Sequence, residues 1–155
     1  MTYSFYKSKA RLAHVLAVAG MAAWLAAGCE VETSSNGALD GFWQLTSVDT
    51  LRSGGSSDMR ERLVFWSVQK HLLETTDATG QCPNVLFRFV HTDRRLVLYQ
   101  PIIDKRDTSD RPLNDIASIH VYGIEQIPDT FQVSRLDGGH MVLDTERLRL
   151  HFRKY

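Results

Sequence analysis

The sequence predicts an all-β domain of short antiparallel strands, closed as a barrel or stacked as a sandwich, behind an N-terminal export-signal helix. Three observations carry this expectation. Apolar residues recur at every second position in run after run. The breaks between runs hold clusters of glycine, serine and aspartate. The first 28 residues hold cations and an apolar stretch but no acid.

The elements follow in chain order. Lys7, Lys9 and Arg11 precede an apolar run from Leu12 to Gly28, interrupted only by His14 and Gly20. A positive flank, an apolar stretch and small residues before a cut site are what an export signal requires. The run is shorter than the ~20 residues a spanning helix needs, so cleavage is expected rather than retention as an anchor.

It ends in Leu25-Ala26-Ala27-Gly28-Cys29, which resembles the lipobox of bacterial lipoproteins. The resemblance implies diacylglyceryl transfer to Cys29 and removal of the signal peptide, residues 1–28. One departure is that the leucine usual three places before the cysteine is Ala26 here, with Leu25 one place earlier. Residues 29–38 are short-chained and polar, without the periodicity needed to pack, so they read as a flexible tether. Glu30 and Glu32 just after the cysteine also resemble the surface-export signal of Bacteroidetes lipoproteins.

Residues 39–155 form the expected domain, ample for one hydrophobic core. Phe42 to Val48 alternates, with Trp43 and Leu45 on one side and Gln44 and Thr46 on the other. Arg62 to Gln69 is rich in aromatic and β-branched residues, and Val85, Phe87 and Phe89 alternate with Leu86, Arg88 and Val90. Leu96 to Tyr99 follows a turn at residues 91–94. Leu148, Leu150 and Phe152 alternate with arginines and His151. Such alternation puts apolar side chains on one face of a half-buried strand. Residues 53–58, 77–80 and 137–140 carry turn chemistry, because glycine and aspartate tolerate tight reversals. The irregular stretch 101–118 is expected to hold a turn of helix around Leu113 to Ile116.

Charge narrows the partners. Three of the 18 basic residues lie in the signal and none of the 18 acids does, so the remainder carries a formal charge of −3. A nucleic-acid partner would want a basic surface, and none is expected. With Cys29 lipidated, Cys82 is the one remaining thiol, which excludes an intramolecular disulfide and reads as a packed cysteine. The histidines outside the signal, His71, His91, His120, His140 and His151, show no metal-ligand spacing. No nucleophile elbow, P-loop or dinucleotide fingerprint occurs. No catalytic residue, metal or cofactor is expected.

Gly41-Phe42-Trp43 resembles the Gly-x-Trp opening of lipocalins. The wider pattern resembles lipocalin-like lipoproteins of Bacteroidetes: a lipobox, a short tether, an early Gly-x-Trp-x-Leu strand and a final strand like Leu148 to Tyr155. This implies a calycin-type barrel, complete or partly open, in which Gly41 allows close approach and Trp43 plugs the closed end. An arginine of the last strand would lie across the indole. Arg147, Arg149 and Arg153 are available, with Arg149 the named candidate for barrel closure. Trp43, Phe65, Phe87, Phe89, Tyr99 and Tyr122 either fill the interior or line an apolar pocket, two readings that stay open on sequence alone. The expected setting is a cell envelope, with the protein lipid-anchored at the outer membrane, on its periplasmic face or the cell surface. The leading expected role is accessory or small apolar ligand binding. The alternative is a filled barrel that engages an envelope protein partner and takes no ligand.

Overall fold

The computed structural model describes residues 34–104, 109 and 111–155. The expected signal peptide, Cys29 and the expected tether as far as Thr33 lie outside the described residues. Strands β1 (Gly41–Thr50), β2 (Gly55–Asp58), β3 (Val64–Gln69), β4 (Leu72–Asp77) and β5 (Val85–Thr92) come first. They are followed by β6 (Arg95–Ile103), β7 (Arg111–Pro112), β8 (Asp129–Leu136), β9 (His140–Asp144) and β10 (Leu148–Lys154). Eight of them form a closed antiparallel ring in the order β1-β3-β4-β5-β6-β8-β9-β10, with β10 pairing back onto β1. The short β2 takes over the edge of β1 beyond β3, pairing with Ser47 to Thr50, and β7 pairs with the end of β6. The barrel expectation holds and the sandwich does not.

The ring closes because its strands coil where an extra residue interrupts the register. Thr46 is one such residue on β1, between the pairs Leu45–Phe152 and Ser47–His151. Its hydroxyl donates to the His151 carbonyl at 3.0 Å, so the interrupted ladder keeps a bond. Ser134 is the extra residue on β8, and its hydroxyl donates to the Asp144 side-chain carboxylate at 2.6 Å. On β6 the irregularity falls at Gln100, whose φ of 51° turns the strand.

Alternation places one side chain in two inside the ring. Leu45, Val64, Leu73, Leu96, Leu98, Leu143 and Leu150 are fully buried in a single core cluster with the large aromatics. Three strands of the ring lie outside the expected set: β4, β8 and β9. Residues 53–58, expected as a loop, include the exposed strand β2. The expected helical turn lies later, as a 3₁₀ segment from Ile116 to Tyr122. It starts there because the Asp115 carboxylate accepts from Ala117 N at 3.0 Å, and it stops at Gly123, whose φ of 80° ends the helix.

The described part of the expected tether is not loose. Asn36 donates its amide to Asp40 at 2.7 Å and to the Lys70 carbonyl at 2.7 Å. Lys70 N donates in turn to the Ser34 hydroxyl at 3.1 Å. The compact unit therefore runs from Ser34 to Tyr155, five residues earlier than the expected start at Leu39.

Candidate functional site

The candidate site is the barrel lumen with its two ends, and each end is covered by the chain's own residues. At one end, Trp43 is fully buried and its indole N–H donates to the Leu39 carbonyl at 2.8 Å. Leu39, also fully buried, sits on a 3₁₀ turn (Gly37–Leu39) laid across this end. Gly41 has φ of 131°, and a Cβ there would overlap Cε of Lys154. Glycine at position 41 leaves room for a lysine side chain that a Cβ would exclude.

The cation over Trp43 is Lys154, whose Nζ lies 4.9 Å from the ring centroid, and not Arg149. Arg149 binds Asp144 through two hydrogen bonds of 2.8 and 3.0 Å. Register explains the difference. Trp43 pairs with Lys154 across the β1–β10 ladder, whereas Arg149 stands opposite Asp49, near the other end of β1.

The middle of the lumen is bridged by aromatic rings. Trp66 of β3 meets Phe152 of β10 at 4.9 Å between centroids and Phe131 of β8 edge-on at 5.6 Å. The three side chains are at most 2% exposed. Phe87 is fully buried beside them in the same core, and Phe89 packs against it partly buried. One atom in this packing stands out: Trp66 Nε1 is buried without a hydrogen-bond partner.

Two of the expected interior aromatics are elsewhere. Phe65 faces outward, because its neighbours Val64 and Trp66 occupy the inside. It stacks on Phe42 at 4.7 Å with ring planes 9° apart, and meets Tyr155 edge-on at 5.6 Å. Tyr99 also faces outward, opposite the exposed Arg88 in register. An interior role is therefore withdrawn for both residues. Trp43, Phe87 and Tyr122 are buried in the core cluster, with Phe89 packed partly buried against it.

The opposite end, where a ligand would enter an open barrel, is filled by the connection between β7 and β8. Ile119, Tyr122 and Ile124 are fully buried in the barrel core. The Tyr122 hydroxyl donates to the Pro83 carbonyl at 2.8 Å, and burial pushes its ionisation well above the usual tyrosine range. A Cβ on Gly123 would lie 2.5 Å from Leu150 Cδ2, so the segment fits against β10 only with glycine there.

Beside this plug lies a polar knot. Asp77 is 3% exposed and accepts from both guanidinium nitrogens of Arg62 at 3.3 and 3.1 Å. It also accepts from the backbone of Thr79, Gln81 and Cys82. Burial alone would push its carboxyl up. The hydrogen bonds from Thr79, with the Arg62 charge, outweigh burial and hold it below the ordinary carboxylate range. The Cys82 thiol is pushed up by burial and by Asp77, away from the nucleophilic thiolate. Among the described residues, no three potential metal-ligating side chains converge.

The outer wall carries a groove of about 550 Å³ across β1, β10 and β9, lined by Arg60, Arg135, Arg153, His140 and His151. Two of these side chains are engaged by acids: His151 meets Asp49 at 2.8 Å and Arg135 meets Asp137 at 2.7 Å. His91 is removed from this groove; burial lowers its pKa.

Residues 23–155 match the family model of a lipocalin-like domain. The chain belongs to the lipocalin-like family. Among solved structures, a lipocalin-like protein from Bacteroides uniformis aligns with a TM-score of 0.59 at 21% identity, covering 77% of this chain and all of that one. An uncharacterised protein from Bacteroides eggerthii aligns with a TM-score of 0.56 at 19% identity, covering 75% of this chain and 98% of that one. At such identities the likeness is one of fold. No match was found among curated proteins. Membership agrees with the ring of eight strands, the buried Gly-x-Trp end and the cation above it. It brings an expectation of small-ligand binding that the packing of this lipocalin-like lumen has to accommodate.

Four features of the site were not read from sequence: Lys154 over Trp43, Leu39 beneath it, the plug of Ile119 and Ile124, and the Arg62–Asp77 knot. Lys154 could have been found by laying the final strand antiparallel to Gly41-Phe42-Trp43. The knot has no local signal, because Arg62 and Asp77 lie 15 residues apart on either side of a hairpin.

Proposed function

We propose that this lipocalin-like domain belongs to a lipid-anchored accessory protein of a bacterial cell envelope, held at the outer membrane through Cys29, and that it acts through the outer surface of a filled barrel. The observation that carries the second part is the contact of Trp66 with Phe131 and Phe152 across the lumen. An eight-stranded ring is just wide enough for side chains to fill it or for one small ligand to enter, and here side chains bridge it. The plug at the mouth supports the same reading. The lipobox-like Leu25 to Cys29 supports the anchor.

On this reading the partner is another envelope protein, and the groove at Arg135 and Arg153 is its candidate contact. Cys29→Ala should abolish lipid labelling and release the protein from membranes. In mild detergent, the anchored protein should recover a specific partner that Arg135→Glu with Arg153→Glu loses. Recovery of the same proteins by both forms would refute the groove.

A second reading has its own observation. The unpartnered Trp66 Nε1 suits a small apolar molecule carrying a hydrogen-bond acceptor, admitted if the plug is displaced. Titration with a fluorescent fatty acid tests it. Saturable binding weakened by Trp66→Phe would favour this reading over the filled barrel.

A further inference from the structure

The way the chain leaves the barrel constrains how an anchored domain can stand on a membrane. Ser34 and Asn36 are hydrogen-bonded to the turn after β3, at the end closed by Trp43. Only five peptide links separate Ser34 from Cys29, which at full extension span about 17 Å. The ten residues of β1 rise about 33 Å along the strand. At the usual strand tilt that gives a wall about 25 Å tall. With the plugged mouth on the bilayer, Ser34 would stand about 25 Å above it, farther than the tether reaches.

The same end carries an apolar patch with no partner in the fold. Phe42 is 38% exposed and Tyr155 is 76% exposed, both in contact with the buried Phe65 beneath them. Tyr155 is held in place by its backbone N–H, which donates to the Phe42 carbonyl at 2.8 Å. Tyrosine is enriched at bilayer interfaces, where its ring meets the acyl boundary and its hydroxyl stays wet.

We propose that the Trp43 end of the barrel is the bilayer-facing surface, with Phe42 and Tyr155 seated in the lipid interface and the plugged mouth directed away from it. This rests on the reading of Cys29 as the lipid anchor. The occupant of the patch is the surface of the membrane that holds the acyl chains. The tether brings lipid within reach of this end and keeps it from the other.

The test uses the mature lipidated protein in phosphatidylcholine vesicles, some prepared with brominated acyl chains as quenchers. Tyr155→Trp reports from the patch, and Glu146→Trp reports from the exposed turn between β9 and β10 at the mouth. The buried Trp43 and Trp66 contribute the same background to both. The expected result is a blue shift of the added emission and quenching that rises with the brominated fraction for Tyr155→Trp, and neither for Glu146→Trp. Vesicle flotation of each variant reads the anchor separately. Protein that floats while position 155 is quenched no more than position 146 overturns the orientation and leaves the anchor standing. Protein that stays in the aqueous phase overturns both.

Discussion

Replacing Trp66 tests whether the lumen is a packed core. The side chain is fully buried and touches rings from β8 and β10, so Trp66→Ala removes a central part of the packing. Large aromatic truncations of this type cost about 3–5 kcal/mol. At roughly 4 °C per kcal/mol for a domain of this size, the melting temperature should fall by about 12–20 °C. Trp66→Phe separates the ring from its N–H. It loses about 40 Å² of apolar burial, roughly 1 kcal/mol, but removes a buried donor without a partner, which costs about 1–3 kcal/mol while present. The phenylalanine variant should therefore match or exceed the wild type. Guanidinium denaturation followed by far-ultraviolet circular dichroism measures both, and an unchanged slope would show that the unfolded state is the same. The cavity left by alanine would be apolar and large enough for benzene, as engineered cavities of about 150 Å³ are. Benzene at ten times its Kd should restore about 1.4 kcal/mol to Trp66→Ala and nothing to the wild type. A cost under about 1 kcal/mol for alanine would refute a packed lumen. A cost above about 2 kcal/mol for phenylalanine would mean that the indole N–H has a partner.

Three further outcomes follow from the ends of the barrel. Asp77 has a pKa lowered by folding, so the stability it supplies is complete above its unfolded value and is lost as pH falls below about 4. Asp77→Asn should cost about 1–3 kcal/mol at neutral pH and flatten that acid limb, read from unfolding free energies between pH 7 and 3. Gly123→Ala forces a Cβ against Leu150 at a φ of 80° and should cost about 2–4 kcal/mol, read from thermal melts. Lys154→Gln should alter the near-ultraviolet circular dichroism of Trp43 and cost about 0.5–1 kcal/mol. Arg149→Gln should leave that spectrum as it is.

Legibility in the sequence tracked how cleanly each strand separates its two faces. β1, β3, β5, β6 and β10 announce themselves because their inward positions are apolar. β4 does not, since two of its inward residues are Thr75 and Asp77, both buried and both polar. β8 begins on the buried Asp129, whose carboxylate accepts from Glu125 and Thr130 backbone N–H groups, so its first inward residue reads as a loop. β9 is only five residues long and carries Val142 on its outer face. Phe65 shows the converse failure. Val64-Phe65-Trp66 is apolar on both faces because an outer aromatic cluster covers one of them. Only parity with Trp66 and Val68 tells which face is which. Of the plug, Ile119 and Ile124 escaped while Tyr122 did not, because their burial depends on a contact between Gly123 and β10 that no local pattern encodes.

The pairing of β1 with β10 has a consequence for how the chain reaches this state. Thr46 and His151, 105 residues apart, share a hydrogen bond, so the seam of the wall joins opposite ends of the domain. Contacts of such separation are made only after a large loss of chain entropy, and proteins dominated by them fold in milliseconds to seconds. Until Lys154 arrives beside Trp43, β1 and its neighbours form an open sheet with a bare edge, the form most prone to pairing with another copy. Truncation by a few residues after Leu148 would leave that edge permanently unpaired, with aggregation rather than a smaller barrel as the expected product.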